Sequence, residues 1–372
     1  MKHFKTILIG LMLLFVFIPV ASGQSLQEHL KKAQSLYKAK RYDQAIPHYE
    51  KVVEILKKNN QLLVAQKVQI NLANIYIIQG KNDRALKELE TAKALYKKPK
   101  PKTRVNLYSK LATAHHNLKH YAGAAQILEE LLASGVALTP AQKADRQAKL
   151  ADAYRRSEIH TKAVKAYTKA LKFYDREKNA KKQVLILNGM GLSYNKLGDF
   201  SNAIKSLKKS LSLASNFKDP QFIAEANSNL GIVYWDKGEY PQALKFIAKA
   251  KKIEKKNQLK RNLGVDYNNE GLIYKSVGKY NQGLSSIEKS IQIAREVKNI
   301  KDEAIAWSNY ALVKRIQGLN DEAFEGYQTA LSLYKKERFQ EGMASCYMGL
   351  GKLYEIRDLN YQLAYDNYQK AF

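Results

Sequence analysis

The sequence predicts an all-α solenoid of antiparallel helix pairs, on three observations. A small residue three places after an aromatic, or at the equivalent position, recurs at Ala45, Ala85, Ala124, Ala163, Ala203, Ala243, Gly283 and Ala323, spaced by 39 or 40 residues. Each copy holds two stretches whose apolar residues return every three or four places, the period of a helix face. A short turn, in most copies marked by glycine, divides the two stretches. A unit of this kind cannot bury its apolar face alone and must stack on its neighbours.

The first stretch of a unit carries Leu-(Gly/Ala)-x-x-Tyr: Leu72-Ala73 with Tyr76, Leu150-Ala151 with Tyr154, Leu230-Gly231 with Tyr234, and likewise Gly191 with Tyr194 and Gly271 with Tyr274. These residues share one helix face, and the small one admits a neighbouring helix. The turn follows at Gly80, Gly198, Gly238, Gly278 and Gly318, where a left-handed backbone is cheap for glycine. An aromatic comes next (Tyr42, Tyr121, Phe200, Tyr240, Tyr280), then the small anchor and the second stretch, as in Ala243-Leu244-x-x-Ile247-x-x-Ala250.

Proline marks boundaries. Thr139-Pro140 and Asp219-Pro220 read as a cap followed by the first helical position, and Pro241 opens a second helix. Pro99 and Pro101 fall in a link between units. Pro47 lies one turn into its helix, so a late start or a kink is expected there. Residues 26–372 divide into about nine units starting near 26, 66, 105, 144, 184, 224, 264, 304 and 344. The ninth has Tyr347, Leu350-Gly351 and Tyr354 and a longer turn before Ala364. It stops at Phe372 without the polar last helix that closes a solenoid. Its end is therefore expected to dock on something, or the natural chain to continue.

The N-terminus reads as a secretory signal over residues 1–23. Lys2 and Lys5 precede the apolar run Thr6 to Val20, and Ala21-Ser22-Gly23 supplies the small residues before a cut at Gln24. The run is shorter than the roughly 20 residues that span hydrocarbon. Export to the periplasm or envelope of a bacterium is the expectation. The single cysteine, Cys346, allows no intrachain disulfide, so the apolar core must hold an exported chain together. The formal net charge is +29. In a cytosolic protein that balance suggests nucleic acid. For an exported one, nucleic acid is not expected, and acidic polypeptides or an anionic membrane or envelope polymer fit better.

With Leu-Gly-x-x-Tyr followed by Gly-x-Tyr-x-x-Ala, a large apolar residue and Ala, the chain resembles the tetratricopeptide repeat. The family's small positions fall on Ala33, Ala45 and Val52 in the first unit, and on Gly231, Ala243 and Ala250 in the sixth. The resemblance covers nearly the whole chain and implies a right-handed superhelix. The period is 40 rather than 34, which implies longer helices. Kinesin light chains and the spindle-orienting adaptors are similar, as are sensor arrays of some bacterial histidine kinases and regulators. A rival expectation is therefore the extracytoplasmic sensor region of such a signalling protein.

No catalytic or cofactor motif stands out: there is no P-loop, Gly-x-Gly-x-x-Gly or Gly-x-Ser-x-Gly, and the acids are scattered. No enzyme activity and no cofactor are expected. His115, His116 and His120 cluster, but His115 takes the slot of a packed tyrosine, so no metal site is expected. Lysine pairs such as Lys97-Lys98, Lys208-Lys209 and Lys251-Lys252 read as a solvated outer face, with cations near helix C-termini.

The resemblance places certain first-helix positions on the concave side. One of them is Asn71, Asn229, Asn269 and Asn309, with Asn188 one place earlier in its unit. Mid-helix asparagine is unfavourable, and its amide can both donate to and accept from an extended peptide backbone. Trp235 offers a ring, and Arg155, Lys196, Lys275 and Arg315 offer charge. The expected function is binding of an extended, acidic protein or peptide in this groove. The competing reading gives the asparagines to neighbouring helices, where they hold the units in register. The chaperone-type carboxylate clamp is not found, so capture of a C-terminal carboxylate is not expected. Glu270 and Lys314 take positions ordinarily apolar or aromatic, and could snorkel or pair with each other.

Overall fold

Two helices of 17 residues and two turns of three residues make the 40-residue period. In the sixth unit these are Pro220–Asp236, the turn 237–239, Tyr240–Lys256 and the turn 257–259. The computed structural model describes residues 20–95, 100–337 and 339–371. Residues 1–19 of the expected signal, Lys97-Lys98, Pro99 and Phe372 lie outside them. Among the described residues there are eighteen helices and no strand.

The chain divides into two compact bodies, the first ending at Glu158 and the second beginning at Ile159. The N-terminal body holds Val20–Lys38 and Tyr42–Lys58, Leu62–Ile78 and Asn82–Leu95, Pro101–Asn117 and Tyr121–Ala133, and Pro140–Arg156. The C-terminal body opens with His160–Arg176. Four pairs follow: Ala180–Lys196 with Phe200–Asn216, Pro220–Asp236 with Tyr240–Lys256, Lys260–Ser276 with Tyr280–Glu296, and Ile300–Ile316 with Asn320–Lys336. It ends on Gln340–Ile356 and Tyr361–Ala371. Within each body every helix packs on its successor.

Capping fixes the helix starts. The Thr139 hydroxyl accepts the Gln142 N–H at 3.2 Å while the Gln142 side chain accepts the Thr139 N–H at 3.1 Å, a reciprocal box ahead of Pro140. Asp219 accepts the Gln221 N–H at 3.1 Å, with Pro220 at the first helical position. Pro47 departs from expectation. Its helix begins at Tyr42, ahead of the proline, so there is no late start. The carbonyl that Pro47 leaves without a donor belongs to Asp43, an exposed first-turn residue that water can serve.

In five pairs the inner turn is left-handed at glycine, and in others at Lys40 and Lys119. Gly238 has φ +85°, its N–H bonds to Trp235 O, and the Glu239 N–H bonds to Tyr234 O at 2.8 Å. The turns between units were unmarked in the sequence because they do this without glycine. Asn60, Lys178, Lys218, Gln258 and Lys298 all have positive φ. In all of these except the Lys218 turn the same closing bond forms, as from Leu259 N–H to Glu254 O at 2.9 Å, and it offsets a backbone conformation that costs about 1–3 kcal/mol outside glycine.

The core is serial. Ala203, Leu207, Leu230 and Val233 form one cluster, Ala243, Ile247 and Ile273 the next, and Leu284, Ile287, Ile291, Ala306 and Val313 the one after. Tyrosines wedge between them. Tyr234 stacks on Phe246 with ring centres 5.3 Å apart. Small residues set the depth of each pair. A Cβ on Gly231 would meet Ile247 at 2.7 Å. The closest crossing is in the seventh unit, where a Cβ on Gly271 would lie 2.8 Å from Gly283 O and one on Gly283 2.9 Å from Gly271 O.

Two substitutions of opposite sign test this packing. Gly283→Ala puts a methyl against backbone that cannot rotate away, and is expected to lower stability by about 1–3 kcal/mol. Lys298→Gly removes a side chain from a left-handed residue. It is expected to raise the thermal midpoint slightly, since glycine's own entropic cost of about 0.5–1 kcal/mol returns part of the gain. Thermal melts followed by circular dichroism read both. An unchanged melt for Gly283→Ala would mean that the two helices do not cross as closely as described.

Candidate functional site

In the C-terminal body each first helix also touches the first helix of the next unit, from Ala180–Lys196 through to Gln340–Ile356. Equivalent positions 40 residues apart therefore lie side by side, and polar groups bond across at slightly shifted register. Asn195 Nδ2 donates to Asp236 Oδ2 at 2.5 Å, and Trp235 Nε1 donates to Ser276 Oγ at 3.0 Å. Asn309 Nδ2 donates to Asn268 Oδ1 at 2.9 Å, and Ser228 Oγ to Asp266 Oδ1 at 2.5 Å.

Asn229, Asn269 and Asn309 hold one register on three successive first helices, but their surroundings differ. Asn229 is buried, and its Nδ2 has no hydrogen-bond partner. Asn269 is half-buried and donates to Asp266 at 3.3 Å. Asn309 is half-buried and bridges to the preceding unit. Asn188 is not in this row: it is buried inside its own pair, where its Oδ1 accepts from Ser210 Oγ at 2.6 Å. Asn71 is half-buried in the N-terminal body. Arg155, also in that body, is held by Asp152 at 2.6 Å.

The cations of the C-terminal body are less engaged. Trp235, Lys275 and Arg315 share one register in three consecutive units, and all are half-buried. Lys196 is exposed. Among the described residues no carboxylate forms an ion pair with Lys196, Lys275 or Arg315, although their neighbours Lys251, Lys314 and Lys352 are paired. Burial pushes the pKa of Tyr327 up, against the pull of the nearby Arg315 charge.

Glu270 and Lys314 do not meet. Glu270 takes Lys251 at 2.5 Å and Ser286 Oγ at 2.8 Å, while Lys314 takes Glu322 at 2.6 Å. His115 packs against Gly123, 3.7 Å from Glu90, and burial lowers its pKa. Among the described residues no group of three His, Cys, Asp or Glu is placed to hold a metal.

Sequence reasoning missed a buried acid pair between the sixth and seventh units. Glu254 and Asp266 are both 1% exposed. Burial, and then the Asp266 charge, push the Glu254 pKa up to about 8, against the pull of Lys251. Burial raises Asp266 as well, opposed by its bonds from Ser228 and Asn269. Glu254 Oε2 and Asp266 Oδ2 have no hydrogen-bond partner. The signal was present in the 40-residue columns. Ala214 and Ala294 flank Glu254, and Ala226 and Ala306 flank Asp266, so each acid stands where its neighbours are alanine.

Models of the tetratricopeptide repeat match residues 182–256 and 302–372, and a second such model matches 267–297. A model of the soluble NSF attachment protein, SNAP, matches residues 18–139. The chain carries tetratricopeptide repeats and has an all-α solenoid fold. No curated protein matches it significantly. Among solved structures it is similar to aspartyl phosphate phosphatase F from Bacillus subtilis (TM-score 0.60, 15% identity, 96% of this chain and 94% of that one). A Rap protein complexed with competence and sporulation factor gives a TM-score of 0.58 at 16% identity, over 94% and 96% of the two chains. The apo quorum sensor NprR from B. thuringiensis gives 0.58 at 16%, over 94% and 97%. At these identities the likeness is one of fold.

The acid pair has a pH signature. Glu254 binds its proton more tightly folded than unfolded, so between the ordinary carboxylate pKa and about 8 the folded chain keeps a proton that the unfolded chain has lost. Stability therefore falls as pH rises through that window. From pH 6.5 to 8.5, above the lowered pKa values of His48, His115 and His116, the midpoint of the C-terminal body is expected to drop. Glu254→Gln, which cannot ionise, should flatten that slope. An equal slope in both proteins would remove Glu254 from the account.

Proposed function

We propose that this chain is an exported binding scaffold that takes an extended, net-acidic polypeptide along the first helices of its C-terminal body and catalyses no reaction. The observation that carries this reading is the row Trp235, Lys275 and Arg315, in which two half-buried cations lack a carboxylate partner. Leaving cations partly desolvated and unpaired is costly, and an acidic ligand would remove that cost. The complexes of a Rap protein with competence and sporulation factor and of a Rap conjugation regulator with the Phr* peptide support a peptide as the class of ligand for this fold. Asn229, with its unused amide donor, is the nearby group suited to a peptide backbone after a side-chain rotation. Export rests on residues 1–23. Cleavage before Gln24 would take Val20 to Gly23 from the start of the helix Val20–Lys38. Among the described residues no helix is long and apolar enough to cross a membrane. Contact with an anionic envelope surface is a further part of the proposal. Lys251, Lys255 and Lys289 gather within 4.2 to 5.7 Å of the Tyr267 ring centre, which concentrates charge on the second helices.

The double variant Asn229→Ala with Asn269→Ala separates binding from register-holding. Each lost hydrogen bond is worth about 0.5–1.5 kcal/mol net, so capture of the native partner from envelope extract is expected to weaken by roughly 5- to 150-fold if the two add. Helicity should be unchanged, and added salt should weaken the wild-type interaction. Equal capture by the variant would return the asparagines to a structural role, as would a lower melting point. For export, mass spectrometry of envelope-bound protein is expected to find Gln24 at the N-terminus. Met1 there would rule out cleavage.

A further inference from the structure

A cavity of about 380 Å³ opens between the eighth and ninth units, bordered by Asn309 and Arg315 on Ile300–Ile316, Tyr327 on Asn320–Lys336, Lys352 on Gln340–Ile356, and Tyr368 on Tyr361–Ala371. Leu312 and Met348 supply apolar wall, and Ser308 and Ser345 supply hydroxyls. Lys352 is paired with Glu355 at 3.1 Å, and Tyr368 donates to the same carboxylate at 2.9 Å. Glu355 therefore balances one of the two cations and leaves Arg315 over. Arg315 sits in the last turn of its helix, where the carbonyl ends favour a cation. Tyr327 borders the same wall. The ring of Tyr327 is itself seated on Gly349, where an added Cβ would come within 2.4 Å of it.

We infer that this cavity is a seat for a carboxylate, gripped by the Arg315 guanidinium, with the side-chain carboxylate of a glutamate in an extended peptide as its occupant. A guanidinium presents a planar fork that matches a carboxylate two-for-two. The hydroxyls and the Asn309 amide around it can serve the remaining lone pairs, and the apolar wall accepts the methylenes that carry the acid. Asn309, already bonded across the units, borders the same cavity, so a bound side chain would lie where the asparagine row ends. The source of the carboxylate rests on the peptide-binding reading above. The cavity and the unpaired arginine do not.

The test uses the full chain at low ionic strength with four probes: fluorescein-labelled (Gly-Glu)4 amide, the neutral (Gly-Gln)4 amide, (Gly-Gln)4 with a free C-terminus, and sodium glutarate. Wild type is expected to bind the glutamate peptide over the glutamine peptide. Arg315→Gln is expected to lose about tenfold or more of that affinity. Arg315→Lys keeps the charge without the fork and should fall between them. Lys205→Gln, an exposed cation on a second helix, controls for net charge and should bind like wild type. Melting curves confirm that each variant is folded. If Arg315→Gln binds the glutamate peptide as well as wild type does, the cavity is not the seat, while peptide binding elsewhere survives. If only glutarate binds, and Arg315→Gln abolishes it, the seat stands and the peptide reading falls. If the free-C-terminus peptide alone gains from Arg315, the occupant is a terminal carboxylate and the side-chain assignment is wrong. No Arg315-dependent binding of any probe overturns the inference.

Discussion

How closely two helices of a unit can approach governs the rest of this molecule. At the crossing of Gly271 and Gly283, either missing Cβ would have met the other helix's carbonyl oxygen. At the crossing of Gly231 it is Ile247 that fills the space. These contacts fix each pair, and the pairs are nearly the same length, so the next unit is always presented with the same face. Stacking then follows from burial of Leu, Ile and Tyr between units. A solenoid built this way has no single centre. Its core is a chain of small clusters, and a fault in one is felt mainly by its neighbours.

Stacking also brings first helices side by side along a polar line. Buried polar groups must find partners, and here they find them in the adjacent unit: Asn195 with Asp236, Trp235 with Ser276, Asn268 with Asn309. The same line therefore holds the units in register and carries the groups suited to a ligand. These roles are not exclusive. A side chain bonded on one side keeps other donors or lone pairs for a second contact. Where the line is fully satisfied it is structural. Lys275 and Arg315, which it leaves without counter-charge, are the groups on which the proposed ligand would bear.

The acid pair Glu254 and Asp266 shows the opposite choice. Two carboxyls replace the alanines found in equivalent columns, at a joint where water is excluded. Glu254 is tolerated by holding its proton, and Asp266 by accepting from Ser228 and Asn269. The joint between the sixth and seventh units thus carries a proton-dependent weakness that its neighbours, closed by alanine, do not share.

The repeat, the helix pairs and the small-residue contacts were legible in the sequence because they depend on local periodicity and on side-chain size, which are properties of each residue in turn. Gly238 and Pro220 announced their own backbone geometry. The left-handed turns at Lys178, Gln258 and Lys298 did not, since the closing hydrogen bond imposes that conformation on residues with no preference for it. For the same reason Pro47 sits inside an uninterrupted helix: burial of Ala45, Tyr49 and Val52 along one face outweighs a single lost bond. The sequence determined which residue types recur at each register, and hence that asparagines and cations would mark successive first helices. Tertiary structure alone decided which were used up. Asn188 turns inward to Ser210, Asn309 reaches to Asn268, and Glu270 and Lys314 find separate partners. Those outcomes depend on distances between residues 8 to 41 apart in the chain, and periodicity fixes the face a side chain occupies without fixing what stands opposite it.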